Sequence, residues 1–397
     1  MRRLLRIALS LVTLAGAALS CSAQDRVRLM RVPDGGIQPE VAVDSRGTVH
    51  LVYLKGDPAH SDVYYVRSSD WGATFSTPIR VNSVQGSAIA IGSIRGARLA
   101  VTKDGQVYVA WNGSRPDSGG VTPAAGGSDA FDHMPMLFAK LNASGTAFEP
   151  ERNLMRLTYG LDGGGSVAAG GHGDVYVAWH GNRRGLALDE GHRRVWVARS
   201  RDQGAGFALE HAVNVQSTGA CGCCALGIFV DRQGTIYVLY RTATGTVHRD
   251  IHLLVSRDRG RTFEDRLLDK WTIGACPMTS VAFAQAGHSV RVAWQTKSQV
   301  YFASVPDGTL DASKPIAAPG SGKLRKYPAL AVNSTGDTLL EWTDGTGWGA
   351  RGSLAWRVFD RQGRPLGETG RVPAPGLPAW SFGAAFAKPD GGFVVLY

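Results

Sequence analysis

The residues with the most distinctive chemistry are four cysteines in the second half of the chain. Three lie in the run Cys221-Gly222-Cys223-Cys224, and the fourth begins Cys276-Pro277-Met278. In an oxidising compartment such thiols form disulfides, and the strained ring of a Cys223–Cys224 bond favours a bridge from the run to Cys276. Thiolates also bind copper or zinc, with Met278 or a histidine as a further ligand. Disulfides are the favoured prediction, and a metal site is the alternative.

Two other segments carry residues suited to binding an anion or a sugar. Arg241 and Arg249 enclose a short loop, and guanidinium groups hold carboxylates with paired hydrogen bonds. Asp250 follows the second arginine, so an ion pair that fixes the loop is the alternative. A glycine-rich stretch contains Trp342 and Trp348, whose flat apolar faces suit a sugar platform.

Composition limits the partners. The chain has 397 residues, of which 19% are charged, and a net charge of +10. The basic residues are scattered and form no long run, which favours an anionic small molecule or an envelope surface over nucleic acid. The surplus also has a simpler explanation in solubility. We expect a monomer that binds a glycan or another anionic small molecule and no nucleic acid.

The N-terminal segment predicts export. Three arginines precede an apolar run over residues 7–19 that is too short for a permanent transmembrane helix. Cleavage would remove residues 1–23 as a signal peptide, or the segment is a lipoprotein signal that ends at a lipidated Cys21. We therefore expect a periplasmic, outer-membrane-anchored or secreted protein with no transmembrane span.

The elements that must position these residues form a repeat. An apolar strand, a turn containing glycine and a second alternating strand recur at the spacing of four-stranded propeller blades. The copies span residues 39–53, 97–111, 165–179, 225–240, 280–294, 328–342 and 382–397. The repeat predicts an all-β protein in which residues 24–397 form one β-propeller of six or seven four-stranded antiparallel blades. The number of hairpins favours seven.

The repeat also predicts which residues meet. In a propeller, the segments before the first strands and after the second strands share one face around the channel. Cys221–Cys224 and Cys276 precede the first strands of neighbouring units, so their sulfur atoms should lie on that face. The seventh hairpin has no outer strand of its own. Residues 27–32 would supply it, which joins the N- and C-terminal strands in one blade and protects the sheet edge.

A shorter motif, S-x-D-x-G-x-T-F, follows the third strand of several units. The aspartate is expected to accept backbone N–H groups, the glycine to take a positive φ and the aromatic ring to return to the core. Two full copies and one partial copy have their key residues at Ser68, Asp70, Gly72 and Phe75, at Ser256, Asp258, Gly260 and Phe263, and at Ser200, Asp202, Gly204 and Phe207. The motif resembles the Asp-box, or bacterial neuraminidase repeat, and the chain is similar to sialidase-like propellers.

The resemblance implies an exo-α-sialidase, a glycoside hydrolase acting on an anionic glycan. Sialidases bind the substrate carboxylate with three arginines, for which the candidates are Arg98, Arg241, Arg249 and Arg325, beside Trp342 and Trp348. They also use a tyrosine nucleophile with a glutamate base and an aspartate acid. The candidates for these three roles are Tyr327, Glu341 and Asp344.

Two other functions remain open. One is a non-catalytic propeller that binds a glycan or a protein of the cell envelope, which the same fold supports equally. The other is a propeller with copper or zinc at the cysteines. The glycosidase needs no cofactor.

Overall fold

The computed structural model describes residues 26–114, 134–214, 216–347, 349 and 351–397. The predicted signal segment, Cys21 and Trp348 lie outside these ranges. The described residues contain strands β1–β28 and three short 3-10 turns, Pro33–Gly35, Gly171–Gly173 and Gln216–Thr218. No helix among them is long and apolar enough to cross a membrane.

The strands form seven sheets in a ring, which confirms a seven-bladed β-propeller. Strands are named A to D from the channel outward. Blade 1 consists of β2 (Ile37–Val43), β3 (Val49–Asp57), β4 (His60–Ser68) and β5 (Ile79–Arg80). Blade 2 consists of β6 (Arg98–Val101), β7 (Val107–Asn112), β8 (Met136–Lys140) and β9 (Arg152–Asn153). Blade 3 consists of β11 (Ser166–Ala169), β12 (Val175–Arg183), β13 (Arg194–Ser200) and β14 (His211–Ala212), with β10 (Thr158–Tyr159) paired to the end of β12.

The remaining blades follow the same order. Blade 4 consists of β15 (Gly227–Val230), β16 (Ile236–Arg241), β17 (Ile251–Ser256) and β18 (Glu264–Asp269). Blade 5 consists of β19 (Ala282–Ala286), β20 (Ser289–Thr296), β21 (Gln299–Pro306) and β22 (Ile316–Ala317). Blade 6 consists of β23 (Lys326–Val332), β24 (Thr338–Asp344), β25 (Ser353–Phe359) and β26 (Pro365–Val372). Blade 7 pairs β27 (Ala384–Ala387) with β28 (Phe393–Leu396), and β1 (Val27–Met30) lies parallel to β28. The A strands touch in the closed order β2, β6, β11, β15, β19, β23, β27 and again β2.

The core lies between neighbouring blades. Each B strand is covered on both faces, so it is apolar along most of its length instead of alternating. Four B strands carry a tryptophan, and all four residues are at most 1% exposed: Trp111, Trp179, Trp294 and Trp342. Large rings at equivalent positions fill the wedge that widens between blades away from the axis.

The Asp-boxes connect strands C and D, as their sequence predicts. In the first box, Asp70 accepts hydrogen bonds from the Thr74 N–H at 2.9 Å and the Ser68 hydroxyl at 2.6 Å. These bonds hold the pKa of Asp70 down at about 2. Gly72 has φ +82°, and Phe75 packs on the core shared with blade 7. Because C strands end where A strands also end, the boxes lie on the face opposite the cysteines.

Candidate functional site

The cysteine loop precedes β15 and is fixed by the backbone of the blades beside it. The Cys221 N–H donates to the carbonyl of Arg241 at 2.9 Å, at the end of β16. The N–H groups of Ala225 and Leu226 donate to the carbonyls of Thr279 (3.0 Å) and Gly164 (3.1 Å), which belong to the fifth and third blades. The loop is therefore hydrogen-bonded to the backbone of three adjacent blades, on the face that the sequence predicts.

Three thiols converge within this loop. The sulfur of Cys221 lies 3.4 Å from that of Cys223 and 3.5 Å from that of Cys224. The side chains are only 2%, 9% and 4% exposed, respectively. A disulfide requires about 2.05 Å. All four described cysteines are free, so the structure does not show the disulfides that the sequence favoured.

The sulfur spacing suits a bound ion. A tetrahedral zinc site with ~2.3 Å Zn–S bonds places its sulfurs ~3.8 Å apart, close to the separations seen here. Cys221, Cys223 and Cys224 offer ligand atoms that all lie within 4.8 Å of one another. A second group with the same property consists of Glu190, Cys223 and the exposed Cys276. The two groups share Cys223.

Cationic side chains surround the sulfurs. Arg249 interacts electrostatically with Cys221 and Cys223, and Arg241 does so with Cys224. Burial raises the pKa of Cys224, but hydrogen bonds from the neighbouring thiols and the Arg241 charge outweigh it and place that pKa well below its usual range. Lys326 is a third cation near Cys223 and Cys224, and burial lowers its pKa. Thiolate, the form that binds metals, is therefore favoured at Cys224. Hydrogen bonds with neighbouring thiols and burial instead raise the pKa of Cys221 and Cys223.

Glu190 connects the cysteine loop to Arg249. One carboxylate oxygen accepts the Gly222 N–H at 2.9 Å, and the other accepts from Arg249 at 2.7 Å. Nε and Nη1 of Arg249 are buried without a protein hydrogen-bond partner. Sequence reasoning missed Glu190 and Lys326. The signal for Glu190 was its place in the long B–C loop of the third blade, on the same face as the cysteines.

His180 and Met278 lie beside the cluster. His180 donates from Nε2 to the Cys224 carbonyl at 3.1 Å, so its buried Nδ1, which has no protein partner, is the unprotonated nitrogen. Burial, followed by the Arg193 charge, lowers the pKa of His180 to about 3. Met278 packs on the three cysteines with φ +50°.

The candidate arginines do not form one group. Arg98 pairs with Glu40 at 2.9 Å on the channel wall, and Arg325 pairs with Asp344 at 3.0 Å. Arg241 donates to the carbonyls of Arg249 and Gln295 and stacks on Trp271. Each therefore has its own protein partner, and of these candidates the structure brings Arg241 and Arg249 to the cysteines.

Each of the three candidate catalytic residues also lies in a different environment. Tyr327 is 2% exposed and packs against Ile94, Ala225 and Phe382. Glu341 is fully buried next to Gly383, its carboxylate has no hydrogen-bond partner, and burial raises its pKa well above the usual range.

Asp344 accepts hydrogen bonds from Arg325 and from the indole of Trp342, each at 3.0 Å. Trp342 is itself fully buried, and the Arg325 guanidinium stacks on its ring at 5.2 Å. The Asp344 carboxylate thus holds the end of the sixth blade together.

The channel is closed on the cysteine face. Ile94, Ala225, Tyr327 and Phe382 come from segments that enter the second, fourth, sixth and seventh blades, and they form one buried cluster. Residues from such distant blades can meet only on the ring axis. Below them, the A strands line a cavity of about 310 Å³.

No family model and no curated protein matches this chain. Its fold is similar to solved structures. A Hadza microbial sialidase has 11% identity and a TM-score of 0.55, with 83% of this chain and 66% of that chain covered. This chain thus spans slightly less than two thirds of the sialidase.

Two further structures resemble this chain over most of their own length. A Dyadobacter fermentans protein of unknown function has 16% identity, a TM-score of 0.57 and coverage of 84% and 96%. An α-L-arabinanase of Penicillium chrysogenum, solved with arabinobiose, has 14% identity, a TM-score of 0.50 and coverage of 84% and 95%. At these identities the likeness shows the fold alone, which is that of the sialidase-like propellers.

Proposed function

We propose that this propeller binds a soft metal ion, Cu(I) or Zn(II), through Cys221, Cys223 and Cys224. The observation that carries the proposal is the convergence of three buried sulfurs at 3.4 and 3.5 Å on the face of the ring. Soft thiolate ligands select Cu(I) and Zn(II) over hard cations such as Mg²⁺ or Ca²⁺. The surrounding Arg241, Arg249 and Lys326 offset the negative charge that three thiolates bring.

Export, which the N-terminal segment predicts, is part of the proposal. Free thiols at this spacing are prone to oxidation outside the cytoplasm. A bound metal protects them, because a coordinated thiolate is no longer free to attack a disulfide. The protein would therefore act in the cell envelope or outside the cell as a metal-binding propeller.

The test is metal binding by the purified full-length protein under reducing, oxygen-free conditions. We expect native mass spectrometry to find one Cu(I) or Zn(II) per chain, and competition with a chromogenic chelator to give its affinity. The triple variant Cys221→Ser, Cys223→Ser, Cys224→Ser should lose the ion while keeping the β-sheet circular dichroism of the native protein. A native protein that takes up neither ion, or a triple variant that binds as tightly, would refute the proposal.

A second candidate function is hydrolysis of an anionic glycan by an exo-α-sialidase reaction. It is supported by the fold likeness to the sialidase and the arabinanase. Tyr327, Glu341 and Asp344 would be its catalytic residues. The burial of Glu341 and the ion pair of Asp344 weigh against that assignment. Release of sialic acid from a glycan panel, lost in Tyr327→Phe, would establish it; no release of sialic acid from any glycan would exclude it.

A further inference from the structure

We propose that Cys276 is the entry ligand of the metal site, through which Cu(I) is exchanged with an external thiol. This proposal rests on the proposed metal-binding function. Its basis is a difference in exposure. The three converging thiols are buried, whereas Cys276 is exposed. The Cys276 sulfur lies within 4.8 Å of the sulfur of Cys223, which is one of the three buried thiols.

Two overlapping sets of ligands therefore lie side by side. The outer set consists of Cys276, Glu190 and Cys223, and the inner set of Cys223, Cys221 and Cys224. Because Cys223 belongs to both, an ion can move from one set to the other by exchanging its other ligands singly. It is never released to solvent during the move.

The chemistry of the ligands gives the movement a direction. The outer set offers a carboxylate oxygen, which is a hard ligand, while the inner set offers sulfur only. Soft ions such as Cu(I) prefer thiolates. Glu190 is also held by the Gly222 N–H and by Arg249, which limits how far it can follow an ion. An ion captured at the surface is therefore more stable in the inner set.

The exchange involves no change of oxidation state. A Cu–S bond to the donor thiolate breaks as a Cu–S bond to Cys276 forms. The Cys276 thiol loses its proton in this step, and the released donor thiolate takes one up. Copper stays Cu(I) throughout, so neither an oxidant nor a reductant is needed.

Zinc would give Cys276 a different role. Zn(II) in structural sites has four ligands, so Cys276 would be a permanent fourth ligand and its loss would weaken binding at equilibrium. Cu(I) at the three inner thiols does not need it. The two cases are separable because one changes the affinity and the other changes the rate.

The experiment measures both quantities on the full-length protein. Cu(I) is supplied as its glutathione complex without oxygen, and uptake is followed by stopped-flow absorbance of the copper–thiolate bands. The affinity comes from competition with a chromogenic Cu(I) chelator. Cys276→Ser and Cys276→Ala should slow uptake about tenfold or more, while the affinity stays within about threefold of the native value. Ala275→Ser, an exposed neighbour, is the matched control and should have no effect.

The outcomes separate the two proposals. If the native protein binds Cu(I) and the triple serine variant does not, but both Cys276 variants take it up at the native rate, the entry role is wrong and the site stands. A large loss of affinity in Cys276→Ser makes Cys276 a permanent ligand and also overturns the entry role. If the native protein binds no Cu(I), the entry role is wrong, and the inner site itself is refuted if the protein binds no Zn(II) either.

Discussion

Arg249 and Glu190 form an ion pair at 2.7 Å that joins the B–C loops of the fourth and third blades beside the cysteine loop. The Arg249 side chain is 5% exposed and that of Glu190 is 25% exposed, so the pair is partly desolvated. Nη2 of Arg249 donates a hydrogen bond to the Glu190 carboxylate, and the guanidinium charge interacts electrostatically with Cys221 and Cys223. The pair thus links the geometry of the loop to the charge of the sulfurs.

Removal of the Arg249 charge should weaken metal binding. A cation within 4–6 Å lowers a thiol pKa by ~1 unit or more, so Arg249→Met should reduce the affinity about tenfold at pH 7. Arg249→Lys, which keeps the charge, should recover part of the loss. Chelator competition measures both. Arg257→Met, which removes an exposed arginine on the opposite face, is the control, and an equal loss there would contradict the prediction.

Burial of His180 should make the fold sensitive to acid. Its pKa is lowered to about 3 in the folded protein, whereas the unfolded chain binds this proton near pH 6.5. The stabilisation is complete above pH 6.5 and is lost as the pH falls towards 3. At pH 5 the loss is ~2 kcal/mol relative to pH 7. Urea unfolding at both pH values should show a smaller difference in His180→Gln. The exposed His60→Gln should unfold like the native protein.

Glu341 should have the opposite effect. Burial raises the pKa of Glu341 well above its ordinary value of 4.5, so at a pH between the unfolded and folded pKa values the carboxyl is protonated in the folded protein and ionised in the unfolded chain. The contribution of Glu341 to the free energy of unfolding is complete at low pH. It is lost as the pH rises, by ~1.4 kcal/mol per pH unit between the unfolded and folded pKa values. Glu341→Gln should therefore unfold at higher urea than the native protein at pH 7 and equally at pH 4. Exposed Glu368→Gln is the control. A less stable Glu341→Gln at pH 7 would contradict this account.

Arg325 should be important for stability. Its guanidinium is 1% exposed and donates to Asp344, Gln299 and the carbonyls of Ala318 and Pro319. Loss of one partner from a buried ion pair costs ~3–5 kcal/mol, so Arg325→Met should lower the urea midpoint strongly. Arg266→Met, whose partner Asp311 is exposed, should cost no more than ~1 kcal/mol. Equal losses in the two variants would show that Arg325 does not act through a desolvated pair.

The fold could be predicted from the sequence because each blade repeats the same local pattern. Val107–Asn112 and Val175–Arg183 each begin with an apolar run that ends in a tryptophan, as expected of a buried B strand, and a turn with glycine precedes each. Seven such hairpins favoured seven blades over six, and the structure has seven. The same topology put Cys221 and Cys276 on one face, because both precede A strands of adjacent blades.

The relative positions of the candidate catalytic side chains could not be predicted from the repeat. Tyr327 and Glu341 are close in the pairing of β23 with β24, but a bulge lies between Lys326 and Ala329. Tyr327 has φ +51° and packs on the ring axis, whereas Glu341 faces Gly383 of the seventh blade. A bulge changes which way a side chain points, and nothing in the residue order marks it.

The sequence by itself determined the propeller fold, with seven blades favoured over six, the position of the Asp-boxes and the face on which the cysteines lie, since these follow from local periodicity and strand order. The tertiary structure alone decided the state of the sulfurs and their neighbours. It placed Cys221, Cys223 and Cys224 at non-bonding distances and brought Glu190 and Arg249 to them from two other loops and Lys326 from the start of β23. Distances between side chains depend on loop backbones pinned by three separate blades, and no short stretch of sequence encodes that.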